Sequence, residues 1–464
     1  MTAAPDPLRA DQTKVAQAAD VIATFIATAP RSHPDAVLTL ARRAFVDTFG
    51  CMHLGANHPE TLTVLQTVHN WGNGTSRVFG HTKKLAAPWA ALVNGTAAHA
   101  YDFDDWEDPG ITHASAALLP SILAIADETA PLDTILDAWV IGIEVIMRIG
   151  EAVNMTHYEL GWHTTNTLGA IGAAAACARL IGLNSDMARN AIALSTSMMG
   201  GFTSQFGTTA KPMHAGLAAK SGVISSALAS NGATGQPGVF EKNAGFLNVM
   251  TKASPQDLAK AVEKLGKAYA MLEYGLHIKK FPSCGGTHLI IEACQIIRSN
   301  YDLATTNIER VETSISDIAF SILPYGIPKN RTEALFSVPW CAAFALLNDS
   351  VGVSSFELNA LTRKDVHALA SRVSVIQHSR SPGLAHHPSF PDVVTVYLTD
   401  GQNLSHSIAY PIGSPTRPLS NSELKRKFLD CMEKGNKLRA QGSKVFEIVM
   451  NCSQQASISE LTKM

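Results

Sequence analysis

Between Val15 and about residue 270 this chain holds no alternating run long enough to make a sheet of any size. Apolar residues recur there at helical spacing instead. Pro34 and Asp35 sit at a first turn and restart a helix through VLTLARRAFVDTFGCMHLG. TLTVLQTVHNW, AAPWAALVNGTAAHA, SAALLPSILAIAD and LDTILDAWVIGIEVIMRIGEAV read the same way, the last with Pro131 near its start. GWHTTNTLGAIGAAAACARLIGL is rich in Gly, Ala and Thr, which lets helices approach closely. Asn184 or Ser185 is positioned to cap the next helix. GNGTSRVFGHTKKL is a glycine-punctuated loop with a short extended piece, and residues 1–14 read as a loose tail.

After residue 270 the pattern changes. IERVETSISDIAFSI alternates in places, RVSVIQH is β-branched, and two strands flank Asp400-Gly401 as a hairpin. Helices intervene at THLIIEACQIIRS and TEALFSVPWCAAFALLND, and SNSELKRKFLDCMEKG returns to amphipathic helix. The expected fold is mainly α with an inserted α+β domain. Residues 1–270 form a large all-helical domain, 271–410 a smaller α+β lid, and 411–464 a segment returning to the helical domain.

With 46% hydrophobic and 16% charged residues, the composition is that of a well-packed globular protein. A net charge of −2 gives no electrostatic case for nucleic acid or an anionic membrane. Seven scattered cysteines without a C-x-x-C pair read as reduced thiols in a cytoplasmic protein. No secretory layout opens the chain, and no apolar run reaches the ~20 residues of a membrane span.

The run HAYDFDDWEDPGITHASAALLP, from His99 to Pro120, packs Asp102, Asp104, Asp105, Glu107, Asp108 and His113 between two apolar helices. Such a knot either faces water or buries charge at considerable cost. Asp104, Asp105 and Asp108 match DDxxD, which on a helix would suggest a magnesium-diphosphate site, but Pro109-Gly110 follows at once and no second acidic motif accompanies it. His113, His163, His214 and His288 each lie in a Gly-, Thr- or Pro-rich context at loop-to-helix junctions, where anions are held and where imidazole can act as acid or base. No H-x-x-x-H spacing points to a metal. Lys211 in TTAKPMHAG and Lys279 in IKKFPSCGG are set among prolines, glycines and aromatics, which suits fixed carboxylate-binding positions. Cys284 lacks a motif that would activate a thiolate.

AAHAYDFDDWEDPGITHASAALLPSILAIAD resembles the acidic signature of the MmgE/PrpD family. GWHTTNTLGAIGAAAACARLIGL, TTAKPMHAGLAAKSG, KKFPSCGGTH and the hairpin near Asp400 continue the match in order over nearly the whole chain. The resemblance implies a helical domain and an α+β lid around a cleft, a homodimer, no nucleotide cofactor and no required metal. It places catalytic positions on Asp102, His113, His163, Lys211 and Lys279, and a substrate contact on Tyr325. Trp106 and His214 complete the expected substrate contacts. Most members have a small hydroxyl residue where Trp106 stands, so the indole is expected to shrink or reshape the pocket and to bear on whether a citrate-sized substrate fits.

The implied chemistry is proton removal next to a carboxylate of a small di- or tricarboxylate, or its reverse. A base, carboxylate clamps and stabilisation of the enolate-like charge are needed. The first expectation is a lyase of the 2-methylcitrate or cis-aconitate type, a dehydratase or decarboxylase. The alternative is an epimerase of the iminodisuccinate type, which HYELGWHTTNTLG and FGTTAKPMH resemble somewhat more. A magnesium-dependent isoprenoid-type synthase and a non-catalytic carboxylate-binding protein stand behind these.

Overall fold

The computed structural model describes residues 17–301, 303, 307–378, 390–451 and 456–462. The stretch 1–14 read as a tail lies outside them. The helices of ten residues or more are α1 (Ala18–Thr28), α2 (Asp35–Gly55), α3 (Pro59–Val68), α4 (Ala87–His99), α5 (Ala114–Ile125), α6 (Leu132–Val153), α7 (Thr164–Leu180), α8 (Ser185–Ser195), α9 (Ala210–Ser230), α10 (His288–Asn300), α11 (Val338–Leu347), α12 (Asn421–Lys434) and α13 (Arg439–Met450). Pro34 stands one position earlier than expected, as the capping residue of α2, and Pro131, expected near the start of α6, caps it. The Asn184 side chain accepts from the Met187 amide and caps α8.

Two large apolar cores divide the described residues. The first joins α1, α2 and α5–α8 to Leu424, Phe428, Val445 and Phe446 of α12 and α13, so the C-terminal helices pack back onto α2. The second runs from Phe281 through α10 and α11 to the sheet residues Val394, Val396, Leu404 and Ile408. Its sheet has strands β3 (Ile308–Ser316), β4 (Val373–His378), β5 (Asp392–Leu398) and β6 (Asn403–Ile408), in the order β4-β3-β5-β6. β3 and β4 are parallel and therefore need the long helical crossover between them, whereas β5 and β6 form the antiparallel hairpin. Gly401, at φ +89°, makes the hairpin turn without the steric cost a Cβ would bring.

The alternation in IERVETSISDIAFSI ends at Ser316, whose side chain caps a helical turn over Asp317–Ile322. The short extended piece expected in the loop at 72–85 is β1 (Asn73–Arg77), which pairs antiparallel with β2 (Lys84–Leu85) and packs on the helices.

Small residues bring α4 and α9 together. A Cβ on Gly216 would fall 2.1 Å from the Leu92 carbonyl oxygen, and one on Gly95 would meet the Gly216 backbone at 2.7 Å. Because these are backbone atoms, relief requires the helices to separate. Gly216→Ala is therefore expected to destabilise the fold by about 1–3 kcal/mol, the usual cost of overpacking. A denaturation midpoint equal to that of the wild type would contradict this. The contact matters for function because α4 ends in His99 and α9 begins beside Lys211.

Candidate active site

The acidic run is a buried loop with two isolated bridges, not a helix. Asp102 sits in the left-handed region at φ +48°, a conformation Asp tolerates better than most residues. Its Oδ2 accepts from Lys211 Nζ at 3.0 Å, its Oδ1 accepts from Lys279 Nζ, and its carbonyl accepts from the same Lys279 ammonium at 2.8 Å. One buried carboxylate thus holds two ammonium groups from segments more than 60 residues apart in the chain. Burial works to raise the Asp102 carboxyl, but Lys211 and Lys279 outweigh it and hold it well below the usual carboxylate range.

Lys211 Nζ also lies 2.8 Å from His99 Nε2 and 5.1 Å from the ring centroids of both Phe206 and Phe336. His99 Nδ1 meets Asp104 Oδ1 at 2.8 Å, and His113 Nδ1 lies 3.2 Å from Asp104 Oδ2. Asp104 is held ionised by these two imidazoles against the effect of burial. His113 and His163 occupy the capping positions of α5 and α7, so both imidazoles stand at helix N-termini. His163 Nδ1 is 2.8 Å from His214 Nδ1, so one of the two carries the shared hydrogen. His214 lies within the first turns of α9 rather than at a junction.

These groups open onto one concave cleft, the kind of place where small molecules bind. His113, His163, Lys211, Lys279 and Trp106 line one side. Leu289, Ser316, Ile318, Ala319, Ile322 and Asp392, from the second core and its sheet, line the other. Of the expected catalytic residues, four reach the cleft, and Asp102 stands behind the two lysines. Of the expected substrate contacts, Trp106 lines the cleft, while His214 and Tyr325 do not. His214 supports His163 from behind. Tyr325 donates to the Phe206 carbonyl at 2.9 Å and so fixes the loop that carries Phe206. Trp106 stacks on His277 at 4.3 Å and 16°, lies 5.7 Å from Lys279 Nζ, and forms a flat wall as a bulky residue must. His288 is buried outside the cleft, with Nε2 3.2 Å from the Ser283 carbonyl.

The DDxxD reading fails on geometry. Asp104 faces His99 and His113, Asp105 accepts from Ser115, and Asp108 faces His277 at 2.9 Å, so the three carboxylates do not converge. His99, Asp102, Asp104 and His113 do offer ligand atoms within 4.8 Å of one another. Lys211 and Lys279 already supply positive charge to that cluster. His99 and Asp104 were the residues missed. The five-residue gap between a helix-terminal histidine and an aspartate was the available signal. Cys284 lines the cleft, but burial pushes its thiol up to about 11, which leaves it protonated at neutral pH.

Burial, reinforced by neighbouring cationic groups, pushes His113 down to about 3 and His214 to about 4, and holds His163 well below its ordinary value. These imidazoles are neutral in the free protein at pH 7. In the unfolded chain they titrate near ~6.5. Between those values the unfolded chain binds more protons, so their stabilisation is complete above about pH 6.5 and is lost as pH falls toward the folded values. Buried His53, His58 and His288, each near 3, act in the same direction. Buried carboxyls raised by desolvation, Glu107 to about 8 and Asp105, Asp47, Glu60, Glu144 and Glu241 in the same direction, act oppositely and flatten the profile, but the buried histidines outnumber them. Urea midpoints are expected to fall between pH 7 and pH 5. A flat profile would contradict this reading.

Two lysines and two imidazoles at helix N-termini thus face one cleft, positive charge beside groups able to exchange a proton. The family models for the MmgE/PrpD N-terminal domain and the MmgE/PrpD C-terminal domain match residues 20–259 and 281–455, and the chain belongs to the MmgE/PrpD family. It is similar to the cis-aconitate decarboxylase of Mus musculus, with 28% identity over 412 residues covering 85% of this chain and 82% of that protein. The Homo sapiens cis-aconitate decarboxylase is 29% identical over 85% of this chain and 83% of its own length. The Aspergillus terreus cis-aconitate decarboxylase is 26% identical over 85% of each. Among the described residues no helix is long and apolar enough to cross a membrane.

Proposed function

We propose that this chain is a carboxy-lyase acting on cis-aconitate or a close tricarboxylate analogue. The observation that carries this reading is the convergence of Lys211 and Lys279 on Asp102 beside His113 and His163 at one cleft. The similarity to cis-aconitate decarboxylases over most of the chain supports it. The two ammonium groups clamp substrate carboxylates. Decarboxylation breaks a C–C bond, releases CO2 and leaves the electron pair on carbon, conjugated with a remaining carboxylate. Lys211 stabilises that charge as a preorganised cation aimed at where it develops. His163 or His113 then delivers one proton to carbon and regains one from solvent.

Both imidazoles are neutral in the free protein, so the proton is taken up with the substrate, whose negative charge offsets the burial that disfavours imidazolium. Asp102 fixes the lysines, and Asp104 fixes His99 and His113. Residues 271–410 serve as the lid, and the family resemblance supports a homodimer without nucleotide cofactor. The decisive test incubates the purified protein with cis-aconitate in D2O and follows CO2 release together with NMR of the product. The expected result is stoichiometric CO2 and one deuterium on carbon. Deuterium exchange on a di- or tricarboxylate without CO2 release would replace this reading with the dehydratase or epimerase chemistry of the same scaffold. Turnover of no carboxylate, with ligand-induced stabilisation alone, would leave a binding protein.

A further inference from the structure

We propose that His99 is a positioning residue for the reaction, holding the Lys211 ammonium so that one of its N–H groups is presented to the cleft. This role rests on Lys211 being the group that stabilises the developing charge. His99 is the last residue of α4, is 2% exposed and does not line the cleft, so it acts through another side chain.

The neighbours of His99 fix where its hydrogen sits. Asp104 is held ionised, and an ionised carboxylate only accepts. His99 Nδ1 lies 2.8 Å from Asp104 Oδ1 and 3.0 Å from Oδ2, so Nδ1 carries the hydrogen. Burial disfavours the imidazolium form, which leaves Nε2 as a bare lone pair. Lys211 Nζ donates to that lone pair at 2.8 Å and to Asp102 Oδ2 at 3.0 Å. An ammonium has three donors, and two are thereby committed. The Phe206 and Phe336 rings, each 5.1 Å from Nζ, offer no strong acceptor. Among the described residues no third nitrogen or oxygen meets Nζ, and Lys211 lines the cleft, so the third donor is left for a ligand there. Asp102 alone would not achieve this, because an ammonium on a flexible four-carbon stem turns freely about one hydrogen bond. His99 is itself immobile: Asp104 is shared with His113, and the His99 and His113 rings lie 4.2 Å apart.

The test compares His99→Phe, His99→Asn and His99→Gln in the full chain. Phenylalanine keeps the ring and removes both nitrogens. Asparagine keeps a donor for Asp104 but is too short to reach Lys211, and it decides the matter if the phenylalanine variant does not fold. Glutamine returns an amide oxygen near the Nε2 position. With cis-aconitate as substrate, kcat is expected to fall about a hundredfold in the Phe and Asn variants, the scale of a misplaced group, with KM little changed. His99→Gln should recover most of that loss. In a Lys211→Met background His99→Asn should cost little more, whereas a merely structural role would show its full loss in both backgrounds. A second readout needs no substrate: heteronuclear NMR of protein carrying isotope-labelled lysine. The Lys211 ammonium signal, assigned by its loss in Lys211→Met, is expected to be sharp in the wild type and His99→Gln and exchange-broadened in the Phe and Asn variants. If the wild type releases no CO2 from cis-aconitate, the proposed function falls and the spectrum alone decides the role of His99. A Lys211 signal already broadened in the wild type, one unchanged in the Phe and Asn variants, or wild-type kcat in those variants would overturn the proposal.

Discussion

Lys211→Met is expected to lower kcat/KM on the proposed substrate by about a thousandfold, within the range for loss of one preorganised charge-stabilising group. Methionine keeps the length and the apolar contacts with Phe206 and Phe336 but removes the ammonium that binds His99 Nε2 and Asp102 Oδ2. Asp102 retains Lys279, so the carboxylate is not left bare. The loss should fall mainly on kcat if Lys211 stabilises charge that develops during the reaction, and mainly on KM if it only clamps a carboxylate. Steady-state kinetics at pH 7 separates the two. Turnover within threefold of the wild type would remove Lys211 from the chemistry.

Asp102→Asn should cost about 3–5 kcal/mol of folding stability, because two buried ammonium groups then lose their shared counter-charge. The backbone is not the cause, since Asn accepts the left-handed conformation at φ +48° as readily as Asp. Lys279 also keeps its hydrogen bond to the residue 102 carbonyl. Adding Lys279→Met should recover part of the loss by removing one uncompensated charge. Urea unfolding of the two variants and the wild type checks both statements. A single variant as stable as the wild type would show that Asp102 does not hold the pair together.

Much of this was legible in the residue order. Helical periodicity before residue 270 became α1–α9, and Asp400-Gly401 became the β5–β6 turn, because local spacing and turn chemistry act over a few residues. His113, His163, Lys211 and Lys279 stood out because a polar group in tight, apolar company needs a partner. The partner itself could not be read. His99 looked like the end of an alanine-rich helix, and Asp104 like one carboxylate among several, until α4 and α9 closed on Gly95 and Gly216. His214 and Tyr325 were placed in the pocket by their neighbours in sequence, yet one backs His163 and the other ties down Phe206.

The chain order alone settled which residues would be costly to bury and which segments would coil, since both follow from side-chain chemistry and short-range spacing. Which carboxylate answers which ammonium was decided only in three dimensions. Asp102 meets Lys211 and Lys279 across separations of 109 and 177 residues, and that pairing depends on how closely whole helices pack.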